Sequence, residues 1–140
     1  MITESQISKI RSIIKDWQKE DYSICLVPTM GYFHDGHIGL MKTARQIADK
    51  VVVSLFVNPA QFGPDEDLDK YPQDLDGDSR SAAAAGVDLL FCPGVTEIYK
   101  KDHQTTVEVP GLAQGMCGID RPEHFRGVTT VVSKLFNIIA

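Results

Sequence analysis

Three cysteines in 140 residues, at positions 25, 92 and 117, are too few and too far apart for a disulfide framework or a C-x-x-C metal site. Cys25 and Cys92 each sit in an apolar run and read as small buried hydrophobes, which suits a reducing, cytoplasmic compartment. No apolar run approaches the roughly 18 residues a membrane span requires. The first residues, Met1-Ile2-Thr3-Glu4-Ser5, lack the basic and apolar regions of a signal peptide. A basic stripe is missing too: 14 Lys and Arg stand against 19 Asp and Glu, a net charge of -5. That balance argues against a nucleic-acid partner. The phosphate loop G-x-x-x-x-G-K-[ST] is absent, which excludes a Walker-type ATPase. There are no internal repeats. What remains is an ordinary soluble composition at a length that suits one domain with a real core.

Apolar periodicity supplies the elements. Thr3 and Gln6 fit a capping box, and Ile7, Ile10, Ile13, Ile14 and Trp17 follow at helical spacing, so residues 4–19 read as a helix. Residues 23–28 read as a strand. Residues 37–48 read as a helix burying Ile38, Met41, Ala44, the Arg45 stem, Ile47 and Ala48. The unbroken apolar run 51–57 fits a parallel strand covered on both faces. A long loop rich in Pro, Gly and Asp spans 58–72, and loops of that length tend to be functional. Its acidic run, Asp65 to Asp69, reads as a solvated face.

Residues 75–85 read as a helix despite Gly77, which costs about 1 kcal/mol against Ala, and Gly86 is a natural residue to end it. A strand at 87–92, a short helical turn at 95–99, a further strand at 105–109 and a last helix at 124–139 complete the order. The last helix is expected to bury Val128, Val131, Val132, Leu135, Phe136 and Ile139. The fold class is α/β, a doubly wound, Rossmann-like parallel sheet.

The chemistry concentrates at His34-Asp35-Gly36-His37, directly after a strand and at a helix start. Free N–H groups and the positive end of the helix dipole make such a turn an anion site. Gly36 lets a phosphate approach the backbone. Imidazoles can hold phosphate oxygens as charge builds on them, or protonate a leaving group.

Three stretches carry a resemblance: Pro28-Thr29-Met30-Gly31-Tyr32-Phe33-His34-Asp35-Gly36-His37; Phe56-Val57-Asn58-Pro59-Ala60-Gln61-Phe62 followed by Tyr71-Pro72; and Arg121-Pro122-Glu123-His124-Phe125-Arg126-Gly127-Val128. The first resembles the H-x-G-H turn of the nucleotidylyltransferase superfamily. Together, in this order, they closely resemble the pantothenate synthetase (pantoate–β-alanine ligase) family. The resemblance implies ATP-dependent joining of (R)-pantoate and β-alanine through pantoyl adenylate, with AMP and pyrophosphate released. It implies an ATP site at Met30, Gly31, Tyr32, Phe33, His34, Asp35, Gly36 and His37, with His37 and His34 catalytic. It implies pantoate and β-alanine contacts at Gln61, Asn58 and Tyr71, an amide being able to donate and accept at once. Mg²⁺ should accompany ATP, with no protein ligands assignable. A cytoplasmic homodimer is implied as well.

Arg121 and Arg126 read as residues fixing the start of the last helix, His103 as solvated, and Cys117 as a thiol without a partner base. Family members continue for roughly as long again, with a Lys-containing phosphate segment, a second glutamine, a Ser-Ser-Arg segment and a small closing domain. The chain is therefore expected to be the N-terminal part of such an enzyme, weakly active or inactive alone. Two other readings stand beside this one. The first is another nucleotidylyltransferase, which would not need Gln61 as an acid clamp. The second is a non-catalytic module binding a nucleotide or a partner chain.

Overall fold

The computed structural model describes residues 1–63, 66 and 68–140. In chain order its elements are β1 (Ile2–Glu4), α1 (Ile7–Lys19), β2 (Ile24–Thr29), α2 (Asp35–Ile47), β3 (Lys50–Leu55), α3 (Leu75–Ala84), β4 (Leu89–Phe91), α4 (Val95–Ile98), α5 (Cys117–Asp120) and α6 (His124–Ile139). Two 3-10 turns, Pro59–Gln61 and Leu68–Lys70, lie in the long loop. All strand pairs are parallel, in the order β1-β4-β3-β2.

Successive side chains of a strand point to opposite faces. Val51 and Val53 of β3 therefore enter one apolar cluster, with Met41 and Ala44 of α2 and Ala82 of α3. Val52 enters the other, with Ile10 and Ile14 of α1 and Val131 and Leu135 of α6. β4 repeats the alternation, sending Leu90 to the first cluster and Leu89 and Phe91 to the second. Helices thus cover both faces, and the expected doubly wound α/β architecture is what forms. Pro28, which has no N–H to give, lies in the edge strand β2, where one missing ladder donor is tolerated.

The start of the chain departs from expectation. Ile2–Glu4 is a strand, not the head of a helix: Ile2 N–H donates to Asp88 O and Cys92 N–H to Glu4 O, both at 2.8 Å. A ladder with β4 satisfies more backbone than a capping box at Thr3 could. The helix begins at Ile7, and Gln6 gives it no side-chain cap. Instead Glu97 of α4 accepts the Ile7 N–H at 2.7 Å, so a distant carboxylate takes the capping role.

The strand expected at 105–109 does not form. Val107 N–H donates to Thr130 Oγ1 at 3.0 Å, and Val107 O accepts from Thr129 Oγ1. Threonines of α6 take the backbone groups that a ladder would have used. Ile47 is 72% exposed and Phe136 57%, both expected inside, whereas Ile138 is buried. The helical stripes are narrower or rotated by one residue relative to the apolar pattern. α5 has no counterpart in the sequence reading. Of the acidic run, Asp65 and Asp67 lie outside the described residues. Asp69 is exposed as expected, whereas Glu66 is half-buried and pairs with Arg121.

Candidate nucleotide and acid-substrate site

The histidine turn joins β2 to α2. His34 is the N-cap of α2, in extended backbone, and its Nδ1 accepts the Gly36 N–H at 3.1 Å. His37 Nδ1 accepts the His34 N–H at 3.4 Å. The two imidazoles thus complete a capping box usually made by Ser or Thr with Glu. This has a chemical consequence. With both Nδ1 atoms accepting, each neutral ring carries its proton on Nε2. The ring centroids lie 4.1 Å apart, so the two rings work as a pair. Burial, then the neighbouring His34, lower the His37 pKa, while Asp78 opposes them. At neutral pH His37 is a neutral donor.

Ahead of the histidines the backbone turns through two left-handed residues, Gly31 (φ +89°) and Tyr32 (φ +54°). Asp78 of α3 holds this step: its two carboxylate oxygens accept the Tyr32 and Phe33 N–H groups, each at 2.7 Å. A Cβ at position 31 would stand 3.0 Å from Asp78 Oδ2.

The second part of the site converges on Gln61. Asn58, 1% exposed, caps the Pro59–Gln61 turn, and both polar atoms of its side chain are bonded within the protein. Its Nδ2 donates to Gln61 Oε1 (2.8 Å) and Gly127 O (3.1 Å), while its Oδ1 accepts from Tyr99 OH (2.8 Å) and Ala60 N–H (3.3 Å). Because Asn58 donates to Oε1, Gln61 is left to present its amide N–H groups, the donors a carboxylate needs. The Gln61 carbonyl is held as well, by Arg121 Nη2 and by the His124 ring nitrogen, each at 3.0 Å. Arg121 is in turn paired with Glu66, and Arg126 with Glu123 and Glu108. Arg126 pairs at the start of α6 as the sequence suggested, whereas Arg121 ties the long loop through Gln61 and Glu66 and does not fix the helix itself.

A cavity of about 250 Å³ at the carboxyl ends of β2 and β3 brings together Met30, His37, Gln61 and Tyr71, backed by Val128, Val131 and Leu135 of α6. Tyr71 packs edge-on against Phe62, centroids 6.0 Å apart. Asn58 lies behind Gln61 rather than on the cavity wall. Tyr32, His34, Asp35 and Gly36 lie outside the lining, with Tyr32 57% exposed. A second cavity, about 460 Å³, opens beside it along Gly31, Pro59, Asp78 and Cys92. His103 is not solvated as expected: its Nε2 is buried and its ring lies against Tyr99.

Sequence reading missed Asp78, Tyr99 and His124. Asp78 left one trace, a carboxylate on the same helical stripe as Ala82 and Ala85. Tyr99 left none, since its partner Asn58 is distant in sequence; His124 stands in the third resembling stretch, but nothing local there marks its contact with the Gln61 carbonyl.

A parallel sheet wrapped on both faces, with a histidine-bearing turn between an edge strand and its following helix, is the nucleotidylyltransferase type of α/β fold. Comparison with known proteins narrows this class. The family model for pantoate-beta-alanine ligase matches residues 2–140. The chain belongs to the pantoate-beta-alanine ligase family. It is 56% identical over 135 residues to a pantothenate synthetase of Nitratidesulfovibrio vulgaris, covering 96% of this chain and 47% of that one. To a pantothenate synthetase of Desulfitobacterium hafniense it is 53% identical, covering 99% and 49%. The crystal structure of pantothenate synthetase from Thermus thermophilus superposes with a TM-score of 0.92 at 45% identity, covering 99% and 49%. The pantoate-beta-alanine ligase of Francisella tularensis, solved in complex with beta-gamma ATP and beta-alanine, gives 0.92 at 40%, covering 99% and 53%. The chain thus spans about half the length of the curated relatives it matches.

Proposed function

We propose that this chain is the N-terminal, nucleotide- and acid-binding part of an ATP-dependent ligase that joins (R)-pantoate to β-alanine. The observation that carries the reading is the meeting of His37, Met30, Gln61 and Tyr71 on one cavity at the carboxyl ends of parallel strands, where α/β sheets bind ligands. ATP would lie on Met30, Gly31, Tyr32, Phe33, His34, Asp35, Gly36 and His37. A pantoate carboxylate oxygen attacks the α-phosphorus of ATP, the bond from that phosphorus to the bridging oxygen breaks, and pyrophosphate leaves. The β-alanine amine then attacks the acyl carbon; AMP departs with the acyl oxygen, and the nitrogen gives up a proton.

In this reading the Nε2–H donors of His34 and His37 meet phosphate oxygens as charge shifts onto them. Gln61 donates to the acid substrate with its amide oriented by Asn58, and Tyr71 walls the pocket. The beta-gamma ATP and beta-alanine named for the Francisella protein support the same ligand classes here. Mg²⁺ would travel with the nucleotide. Among the described residues no group of three His, Cys, Asp or Glu side chains could hold a metal, so the ion would lean on phosphate oxygens and water.

A cytoplasmic homodimer belongs to the same reading. Three free cysteines support the compartment. The exposed Leu112, Met116 and Ile119 support a partner surface, and sedimentation tests it. No helix among the described residues is long and apolar enough to cross a membrane.

The decisive experiment joins these residues to the second half of the Nitratidesulfovibrio vulgaris relative and follows pantoate-dependent exchange of pyrophosphate into ATP. Exchange is expected, with His37→Ala lowering it at least about a hundredfold and Gln61→Ala raising mainly the pantoate KM. Exchange indifferent to pantoate, or unchanged by His37→Ala, overturns the reading. The 140-residue chain alone is expected to bind ATP by calorimetry and to release little or no AMP, because the charged partners and lid of the whole enzyme are large parts of catalysis.

A further inference from the structure

Among the described residues Asp78 is the only buried carboxylate, at 4% exposure, and it makes no ion pair there. A buried charge without a cation needs strong hydrogen bonds to persist. Its two oxygens find them in the Tyr32 and Phe33 N–H groups, both at 2.7 Å and both in the turn ahead of the histidines. Tyr32 is the non-glycine residue of that turn held at φ +54°. Its side chain is mostly exposed, so side-chain packing is not what keeps it there. Such backbone persists only where the surroundings over-determine it. Gly31 supplies the room, since a Cβ there would press on Asp78 Oδ2 and on Leu55 at 3.0 and 3.1 Å.

We propose that Asp78 is the positioning residue of the histidine turn: delivered by α3, its carboxylate locks the left-handed Gly31-Tyr32 step and so fixes where His34 and His37 offer Nε2–H to a nucleotide's phosphates. The ligand rests on the function proposed above; the lock does not. Asp78 also acts through its charge. His34 at the head of the same helix and Asp78 from α3 are the charges that reach His37, and they pull its proton affinity in opposite directions. Asp78 therefore keeps His37 nearer to protonation than its burial alone would allow.

The test uses the 140-residue chain with Asp78→Asn, Asp78→Glu and Asp74→Ala. In Asp78→Asn one oxygen becomes an N–H₂ facing an amide, so one bond of the clamp is lost. The Tyr32 and Phe33 amides should exchange with solvent at least tenfold faster by nitrogen-15 NMR, while Val53 in the core stays unchanged. The His37 titration midpoint should fall, and the ATP Kd should rise at least tenfold. Asp78→Glu keeps the charge and misplaces the carboxylate; it should weaken ATP with a smaller change in the His37 midpoint. Asp74→Ala removes the cap of α3 and leaves both Asp78 hydrogen bonds to the turn in place, so it should leave the Tyr32 and Phe33 exchange rates unchanged.

Unaltered exchange at Tyr32 and Phe33 overturns the lock. Faster exchange with an ATP Kd within twofold of the parent overturns its role in positioning the histidines. Should Asp78→Asn fail to fold, Asp78→Glu decides by the same two readings. If the unaltered chain binds no ATP, the nucleotide reading falls, and Asp78 as a lock is still decided by the exchange rates and the His37 midpoint.

Discussion

Gly127 sits where a Cβ would lie 2.1 Å from the Ala60 carbonyl oxygen and 2.7 Å from the Gln61 nitrogen. Only glycine lets α6 come close enough for its carbonyl to accept from Asn58. Gly127→Ala is expected to destabilise the protein by about 1–3 kcal/mol in urea unfolding, the usual cost of overpacking. It should also loosen the Asn58–Gln61 contact. His37 carries a pH signature. Its folded pKa lies below the ordinary imidazole value of about 6.5. On lowering the pH the unfolded chain therefore takes up the proton first, so this contribution to stability is complete above that value and is lost as pH falls through the folded pKa. Bound polyphosphate should raise the midpoint, which NMR titration of the ring reads directly. Cys92, with burial first and Asp78 next raising its thiol to about 11, should resist alkylation at pH 8, where the exposed Cys117 reacts.

α3 shows how an element can look weak in sequence and be held from outside. Gly77 in its first turn reads as a loss of helix propensity. A Cβ there would lie 2.2 Å from Asp74 Oδ2, and Asp74 is the N-cap, accepting the Gly77 N–H at 2.9 Å. The glycine makes room for the cap. Asp74→Ala should cost about 1 kcal/mol in thermal or urea unfolding. Gly77→Ala should be near neutral alone and stabilising by about 0.5–1 kcal/mol once Asp74 is already Ala, so the two substitutions couple. Additive values would refute this account. α1 illustrates the converse: a good local capping pattern yields to a strand, because pairing with β4 and the carboxylate of Glu97 satisfy the same backbone groups from a distance.

On the scale of the whole molecule, the site is a meeting of three segments far apart in sequence. The histidine turn, the Asn58–Gln61 turn and the head of α6 converge because parallel strands all end on one edge of the sheet. Arg121 and His124 from near α6 hold the backbone that Asn58 holds by its side chain. A prediction belongs here: Arg121→Ala, which is off the cavity wall but releases the backbone carbonyl of Gln61, should raise the pantoate KM of the joined full-length chain with little effect on kcat. A fall in kcat at unchanged KM would argue that Arg121 meets the substrate itself.

The apolar run of β3, the body of α1, most of the α6 stripe, the doubly wound class and the position of the histidine turn were legible in the sequence. They rest on local periodicity and on turn chemistry within a few residues. The capping of α2 by imidazoles, the orientation of Gln61 by Asn58 and Tyr99, the clamp of Asp78, the strand at Ile2–Glu4 and the lost strand at 105–109 were decided only by the tertiary structure. Each depends on hydrogen bonds between groups brought together by the sheet, and a one-dimensional pattern carries no record of which distant backbone amide a side chain will find.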